Sequence, residues 1–251
     1  MGIVLSFCKF TTVTNARFVG VSNYIKAFSN ADFLNALGFT TKFTIVSVIT
    51  INVIAFSVAY GLTRGLKGTN FFRTTFFMPN LIGGIVLGYI WQLMINAVLA
   101  NFDVTITSDA KYGFWGLVIL MNWQLIGYMM IIYIAAIQNI PGELIEAAKI
   151  DGATKTQTMF KVIIPMAMPS ITICLFLSLT NAFKLFDQNL ALTAGAPSRK
   201  TAGLALDIYT TFYNRNGWEG VGQAKAVVFF IIVGAVSMLQ LYITRKREVE
   251  E

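Results

Sequence analysis

The chain has 251 residues, with only 19 Lys and Arg and 12 Asp and Glu against 56% hydrophobic residues. Charged residues thus make up 12% of the chain, about half their share in a soluble domain. There is no histidine, the two cysteines (Cys8 and Cys174) lack metal-ligand spacing, and no phosphate-binding G-x-x-x-x-G-K-[ST] run occurs. These counts exclude a soluble enzyme, a disulfide scaffold and a disordered chain, and they indicate a multi-pass membrane protein.

Residues 1–42 precede the first long uncharged run. Ile3-Val4-Leu5 resembles the last turn of an apolar helix. We therefore expect a missing or truncated first transmembrane helix, with six spans and both ends inside in the intact protein. Residues 22–41 place apolar side chains at helical spacing beside Asn and Ser. This pattern predicts an interfacial helix along the outer membrane surface.

Five uncharged runs then follow, at residues 43–63, 74–102, 112–142, 162–183 and 226–244. A helix needs roughly 20 predominantly apolar residues to cross a bilayer, and each run is about that long. We predict an all-α transmembrane domain over residues 43–244 with five visible spans, followed by a cytoplasmic tail at 245–251. The protein is expected in a bacterial or archaeal plasma membrane.

The basic residues orient the spans. Arg64, Lys67 and Arg73 join the first two spans, the 143–161 stretch holds three lysines, and the chain ends with Arg245-Lys246-Arg247. The positive-inside rule places all three clusters in the cytoplasm. Four basic residues oppose this orientation because it puts them outside with only Asp32 to balance them: Lys9, Arg17, Lys26 and Lys42.

The cytoplasmic stretch 143–161, called the coupling loop below, differs from a short connector. Pro141 and the acids Glu143 and Glu146 suit a helix N-terminus. Asp151-Gly152 is expected to end that helix, because Gly readily takes the left-handed conformation, and a second short helix is predicted over 154–161. The residue spacing leaves two interpretations open, a docking site for another protein or an elbow returning the chain to the membrane.

A longer pattern covers the same stretch. Glu146, Ala147, Ala148, Gly152, Val162, Ile164 and Pro165 match E-A-A-x-x-x-G-x(9)-I-x-L-P with two conservative changes. This resembles the signature of membrane subunits of ABC importers that depend on a solute-binding protein. Residues 139–153 are similar to the carbohydrate-uptake branch, the maltose and glycerol-phosphate type permeases, and so are 71–79, 183–187 and 192–197.

The resemblance implies a type I ABC importer permease fold and a set of partners. These are a second homologous permease, two copies of a cytosolic ATPase, an extracytoplasmic solute-binding protein and a sugar. The chain itself would then be no enzyme and hold no cofactor, since ATP and Mg are bound by the partner ATPase. The ATPase-coupling role would fall on Glu143, Glu146, Ala147, Ala148, Asp151 and Gly152.

The substrate path requires polar groups facing a wet cavity. Gln124 and Tyr128 are four residues apart on one predicted helix, and Ser178 and Asn181 are three apart on another. The resemblance assigns the sugar-lining positions to Met121, Gln124, Leu125, Tyr128, Ser178, Asn181, Ala182 and Leu185. The alternative for each polar residue is hydrogen bonding between helices or, for Tyr128, packing.

Three other classes compete with an importer subunit. A secondary transporter normally needs an ionisable group within a span, and none of the five runs contains one. Nothing repeats to build a channel, and the spans hold no pair of carboxylates for catalysis. Within the family, a polyol or glycerol phosphate is the alternative cargo, and no basic and aromatic face suggests nucleic acid. A neutral sugar is favoured because the runs offer no cation for a phosphate.

Overall fold

The structure is a computed structural model that describes residues 1–65 and 67–246. Leu66 and the end of the predicted tail, 247–251 with Arg247, lie outside the described residues. The described chain is mostly helical. It divides into two compact units, of which the first holds residues 1–46, 83–121 and 180–235 and the second holds the described residues of 47–82, 122–179 and 236–246.

The chain begins with short elements. They are α1 (Gly2–Leu5), β1 (Cys8–Lys9), a 3-10 turn (Val13–Asn15), β2 (Arg17–Phe18) and α2 (Ser22–Phe28). The two strands pair antiparallel, with Cys8 opposite Phe18 and Lys9 opposite Arg17.

The remaining helices follow in chain order. They are α3 (Ala31–Leu62), α4 (Thr69–Phe77), α5 (Gly84–Leu99), α6 (Ala110–Gln138), α7 (Gly142–Ile150), α8 (Lys155–Thr158), α9 (Ile164–Met166), α10 (Met168–Phe183), α11 (Asp187–Leu192), α12 (Leu204–Asn214) and α13 (Glu219–Arg245). Four of the described helices, α3, α5 (extended to Phe102), α6 and α13, are long and apolar enough to cross a membrane. The bent pair Lys155–Met166 and Met168–Phe183 makes a fifth if it counts as one span.

The helix predicted over residues 22–41 is divided in the structure. The Asn30 side chain accepts a hydrogen bond from the Phe33 amide at 3.0 Å, which caps a new helix at Ala31. Residues 31–41 therefore form the first third of α3. The composition changes from polar to apolar near Lys42, which indicates a membrane boundary. The helix itself continues through this point.

Two of the uncharged runs contain breaks. The run 74–102 consists of α4, a 3-10 turn (Met78–Leu81) and α5, since Pro79 has no amide hydrogen to continue a helix. The run 162–183 starts in a π-helical turn (Met159–Ile163), and the chain bends by 72° between α9 and α10. Pro169 follows directly and cannot donate to the carbonyl four residues earlier.

The stretch 184–225 connects the fourth and fifth uncharged runs, and the orientation set by the three basic clusters places it outside the cell. It holds two helices, α11 and α12. In the first unit α11 packs on two glycines of α5. A Cβ on Gly84 would come within 2.8 Å of Asp187 Cβ, and a Cβ on Gly88 within 2.6 Å of Ala191 Cβ. Gln92 adds a hydrogen bond to the Leu192 carbonyl at 2.9 Å. The connection is thus anchored on a membrane helix.

A buried ionic cluster organises the rest of the first unit. Lys225 and Asp207 have no exposed side-chain surface, and their charged groups are 2.7 Å apart. Arg199 reaches the other oxygen of Asp207 at 2.7 Å, and both Arg199 and Arg215 pair with Asp32. The cluster ties the start of α3, the 193–203 segment, α12 and α13 together. Nothing in the sequence patterns brought these five residues to one place.

In the second unit a polar cluster joins three membrane helices. Tyr133 of α6 donates to Asn52 Oδ1 of α3 at 2.6 Å, and Asn52 donates to Ser178 Oγ of α10 at 2.8 Å. Ser178 in turn donates to the Cys174 carbonyl at 2.7 Å. Hydrogen bonds of this kind hold helices together in a medium where apolar contacts give little specificity.

Candidate coupling loop and substrate path

The first helix of the coupling loop is α7, which begins after Pro141. Pro141 is the N-cap, with extended backbone (φ −55°, ψ 128°), and Glu143 lies in the first turn. Lys149 lies in the last turn. Both charges interact favourably with the helix macrodipole. Charged residues at its two ends therefore help to stabilise this short helix.

The C-terminus of α7 is closed by a Schellman motif. The Ala153 amide donates to the Ala148 carbonyl at 2.9 Å, and the Gly152 amide donates to the Lys149 carbonyl at 3.1 Å. Gly152 has φ +76°, as the motif requires. Asp151 is the last residue before the turn. The predicted helix break thus has a defined geometry, in which Gly152 sets the direction of the following segment.

The second part of the loop starts at a capping box. Thr154 Oγ1 accepts from the Gln157 amide at 3.3 Å, and Gln157 Oε1 accepts from the Thr154 amide at 2.8 Å. The helix runs from here through the π-helical turn to Met166. The T-x-x-Q spacing carries this signal in the sequence, and our sequence analysis missed the role of both residues.

The surface of α7 is open, since no residue of it is buried. Glu143, Glu146 and Ala147 are exposed and Ala148 is half-buried. Two large apolar side chains share this surface: Ile150 is 85% exposed and Leu144 41% exposed. Sequence reasoning missed both, although an isoleucine beside Asp151 at a helix end is the available signal. Ile150 at the end of α7 is thus accessible to a docking partner.

The base of the coupling loop and two membrane helices line one cavity within the second unit. This cavity of about 560 Å³ is lined by the end of α3, the end of α6, and residues of α7 and α8. Arg64 stands 4.2 Å from the ring centre of Tyr60 at the α3 side of this cavity. α7 and the ends of α3 and α6 thus border the same space.

Two of the predicted substrate-path residues flank a close helix contact. A Cβ on Gly127 would overlap the Phe76 carbonyl, so α6 touches the backbone where α4 ends. Gln124 lies one turn before Gly127 and donates to the Ile82 carbonyl at 3.4 Å, while the ring of Tyr128 is 6.5 Å from that of Phe77. Gln124 and Tyr128 thus both face the broken segment 76–82.

Ser178 is placed differently. Its side chain is fully buried, and it is part of the cluster with Asn52 and Tyr133 described above. That position matches the interhelical alternative we kept for it. Asn52 and Tyr133 were missed in the sequence, although Asn52 is a polar residue in the middle of the uncharged 43–63 run.

The remaining predicted path residues differ in exposure. Asn181 is exposed, whereas Met121, Leu125, Ala182 and Leu185 are buried. Met121, Asn181, Ala182 and Leu185 belong to the first unit, and Leu125 belongs to the second. Gln124 is buried, at 9% exposed, and Tyr128 is half-buried. For all eight positions a role in the path stays a prediction.

Comparison with known proteins decides the family. Residues 51–249 match the family of binding-protein-dependent transport system inner membrane components. The chain belongs to this family. It is a multi-pass inner-membrane permease, as the pattern at Glu146–Pro165 indicated, and the family is one of transport subunits.

Two curated relatives align with nearly the whole permease. One is described as a "probable starch degradation products transport system permease protein", from Thermoanaerobacterium thermosulfurigenes; it is 45% identical, and the alignment covers 100% of this chain and 88% of the relative. The other, a multiple sugar-binding transport system permease protein of Streptococcus mutans, is 32% identical and covers 99% and 89%.

A solved structure supports the fold of the permease. It belongs to a bacterial ABC transporter involved in the import of the acidic polysaccharide alginate. It is 18% identical with a TM-score of 0.82, covering 97% of this chain and 88% of that chain. At this identity the likeness bears on the fold alone, and the predicted type I ABC importer permease fold is confirmed.

Proposed function

We propose that this permease forms half of the translocation path of an ABC importer and carries a neutral oligosaccharide handed over by an extracytoplasmic solute-binding protein. The other half is a second homologous permease, and two copies of a cytosolic ATPase bind and hydrolyse ATP with Mg beneath them. Membership of the family and the two sugar-transport relatives support this assignment.

The observation that carries the coupling role is the rigid, exposed α7. Its N-terminus has a charge that matches the macrodipole and its C-terminus is closed by the Schellman motif, while Glu146, Ala147 and Ile150 stay exposed. In our proposal Ala147 and Ala148 allow a close approach to the ATPase, Ile150 fills an apolar pocket there, and Glu143, Glu146 and Asp151 pair with basic groups.

The movement then passes from α7 to the spans. The cavity at the base of the loop is lined by α7 and α8 on one side and by the ends of α3 and α6 on the other. Since Gln124 and Tyr128 also lie on α6, closure of the ATPases would move the helix that carries two path residues. Alternating access of this kind needs rigid elements that shift between two arrangements.

The cargo is proposed from the chemistry of the path. Gln124 offers an amide and Tyr128 an aromatic face with a hydroxyl, groups that suit a sugar. The uncharged runs hold no cation to bind a phosphate. The 45% identical relative points to a malto-oligosaccharide, a starch degradation product. A polyol or glycerol phosphate is the competing cargo.

ATP-driven uptake into proteoliposomes tests the proposal. The vesicles contain this permease, its partner permease and the ATPase, with the binding protein added outside. We expect uptake of a malto-oligosaccharide and none of glycerol phosphate. Glu146→Lys and Gly152→Pro should abolish uptake and weaken ATPase association, whereas Asp103→Lys, the reversal of an exposed acid far from the loop in sequence, should change neither. Normal uptake by both loop variants would refute the coupling assignment.

A further inference from the structure

A second cavity lies in the first unit and is lined by none of the residues assigned to transport. It has a volume of about 550 Å³ and is formed by the N-terminal third of α3, the first turns of α6 and Lys200. Its lining combines aromatic rings with lysine side chains and includes neither the coupling loop nor any predicted path residue. It therefore needs an explanation of its own.

The apolar part of the cavity is an aromatic wall. The rings of Phe39 and Phe114 meet edge to face at 5.9 Å, and those of Phe114 and Trp115 at 5.4 Å. Trp115 remains 54% exposed. Such a wall offers an apolar surface to a chain lying beside it, and tryptophan favours the level of the membrane interface.

The polar part of the cavity is basic. Lys42, Lys111 and Lys200 line it, and no carboxylate does so within residues 1–65 and 67–246. Asp109 stands 4.0 Å from Lys111 Nζ, but both side chains are more than half exposed, so this pair contributes little. Three segments distant in sequence thus bring lysine ammonium groups to one cavity, and no buried carboxylate in its described lining neutralises them.

The position of the lysines relative to the spans is informative. Lys42 directly precedes the uncharged run 43–63, and Lys111 directly precedes the run 112–142. Both therefore lie where a span leaves the hydrocarbon and meets the headgroups. The positive-inside rule places these ends outside the cell, where lysines are not favoured by topology.

We propose that this cavity binds an anionic phospholipid. The phosphate lies among the ammonium groups of Lys42, Lys111 and Lys200, and an acyl chain lies along Phe39, Phe114 and Trp115. Clusters of basic residues at membrane helix ends recognise anionic headgroups in this way. The aromatic wall adds apolar contact that free inorganic phosphate would not use, and it selects a lipid as the occupant.

Native mass spectrometry of the assembled transporter tests the site. The complex is titrated in detergent with phosphatidylglycerol and, separately, with phosphatidylcholine. The variant Lys42→Gln/Lys111→Gln/Lys200→Gln should lower the affinity for phosphatidylglycerol by roughly a hundredfold, at about fivefold for each lysine. Phosphatidylcholine, whose choline offsets the charge of its phosphate, should lose much less affinity. Gly38→Phe should block both lipids, because a Cβ on Gly38 meets nothing within 4 Å and the ring would extend into the cavity.

The matched control removes three other lysines of the first unit. Lys9→Gln/Lys26→Gln/Lys184→Gln changes the net charge equally and alters no lining residue of this cavity. It should keep wild-type affinity for phosphatidylglycerol. Equal binding of the two lipids by the wild type, or equal losses in both triple variants, would overturn the proposal. Loss of the partner permease from the lining variant would do so too, since it would make the cavity a protein interface.

Discussion

The pair Lys225 and Asp207 shows how a single residue can decide the stability of this permease. Asp207 has no exposed surface and faces two cations, Lys225 and Arg199, each at 2.7 Å. Lys225 also donates to Thr211 at 2.9 Å. A buried charge left without its partner costs several kcal/mol, more than the pair gains by forming.

Asp207→Asn should therefore destabilise the permease by about 3–5 kcal/mol. Lys225→Met should cost less, because Asp207 keeps its bond to Arg199 while the cation that disappears leaves no unpaired charge. Unfolding by SDS in mixed micelles, followed by tryptophan fluorescence, measures both. A larger loss for Lys225→Met than for Asp207→Asn would contradict this order.

Gly127 matters because its position has no room for a side chain. A Cβ there would overlap the carbonyl of Phe76, and neither backbone can yield without moving a helix. Gly127→Ala should thus reduce the yield of folded permease and lower its melting temperature by several degrees. Gly61→Ala provides the control in the same unit: its Cβ meets nothing within 4 Å, and alanine favours a helix by up to about 1 kcal/mol over glycine.

The elements differ in how far their sequence predicts them. The ends of α7 were predicted correctly, since Pro141 and Asp151-Gly152 are local signals. The helix predicted over 154–161 was wrong in its end, because α8 stops at Thr158 and the chain continues through the π-helical turn to Met166. The single helix expected over the 74–102 run was not obtained, because Pro79 lies inside an apolar stretch whose composition hides the break. The role of Asn52 depended on Tyr133 and Ser178, 81 and 126 residues away.

The capping box at the start of α8 can be tested by substitution. Thr154→Ala removes the acceptor for the Gln157 amide and should destabilise the start of α8 by about 1 kcal/mol. Hydrogen exchange of residues 155–163 should become roughly fivefold faster in the purified transporter. Thr156→Ala, an exposed position in the same turn, leaves the capping box intact and should exchange at the wild-type rate.

At the scale of the whole molecule, the proposed transport depends on assembly with the ATPase. The exposed residues of α7 are proposed to make that contact. Ile150→Glu removes little packing, since the side chain is already 85% exposed, and its unfavourable charge at the end of α7 costs at most about 1 kcal/mol. If α7 docks in the ATPase, a charge at this position should weaken ATPase association by at least tenfold in a pull-down from detergent. Thr156→Glu adds the same charge to an exposed position of α8 and should leave association unchanged; equal binding by both variants would contradict the docking role of Ile150.

The whole-molecule class was accessible from the sequence, because scarce charge and long apolar runs are global properties. The family followed from one specific pattern. The substrate path was harder, since its residues come from helices whose contacts depend on packing: Gln124 and Tyr128 share a face by periodicity, whereas the burial of Ser178 depended on Asn52 of another helix.

The ionic cluster also orders the biogenesis of the chain. Lys225 directly precedes the uncharged run 226–244, and on the predicted orientation it must cross the membrane with the connection 184–225, where a lysine alone is costly. Asp207 precedes Lys225 by only 18 residues, whereas Arg215 and Asp32 are 183 residues apart. The Lys225–Asp207 pair is thus expected to form locally within the translocated connection, and the bond to the start of α3 closes the cluster.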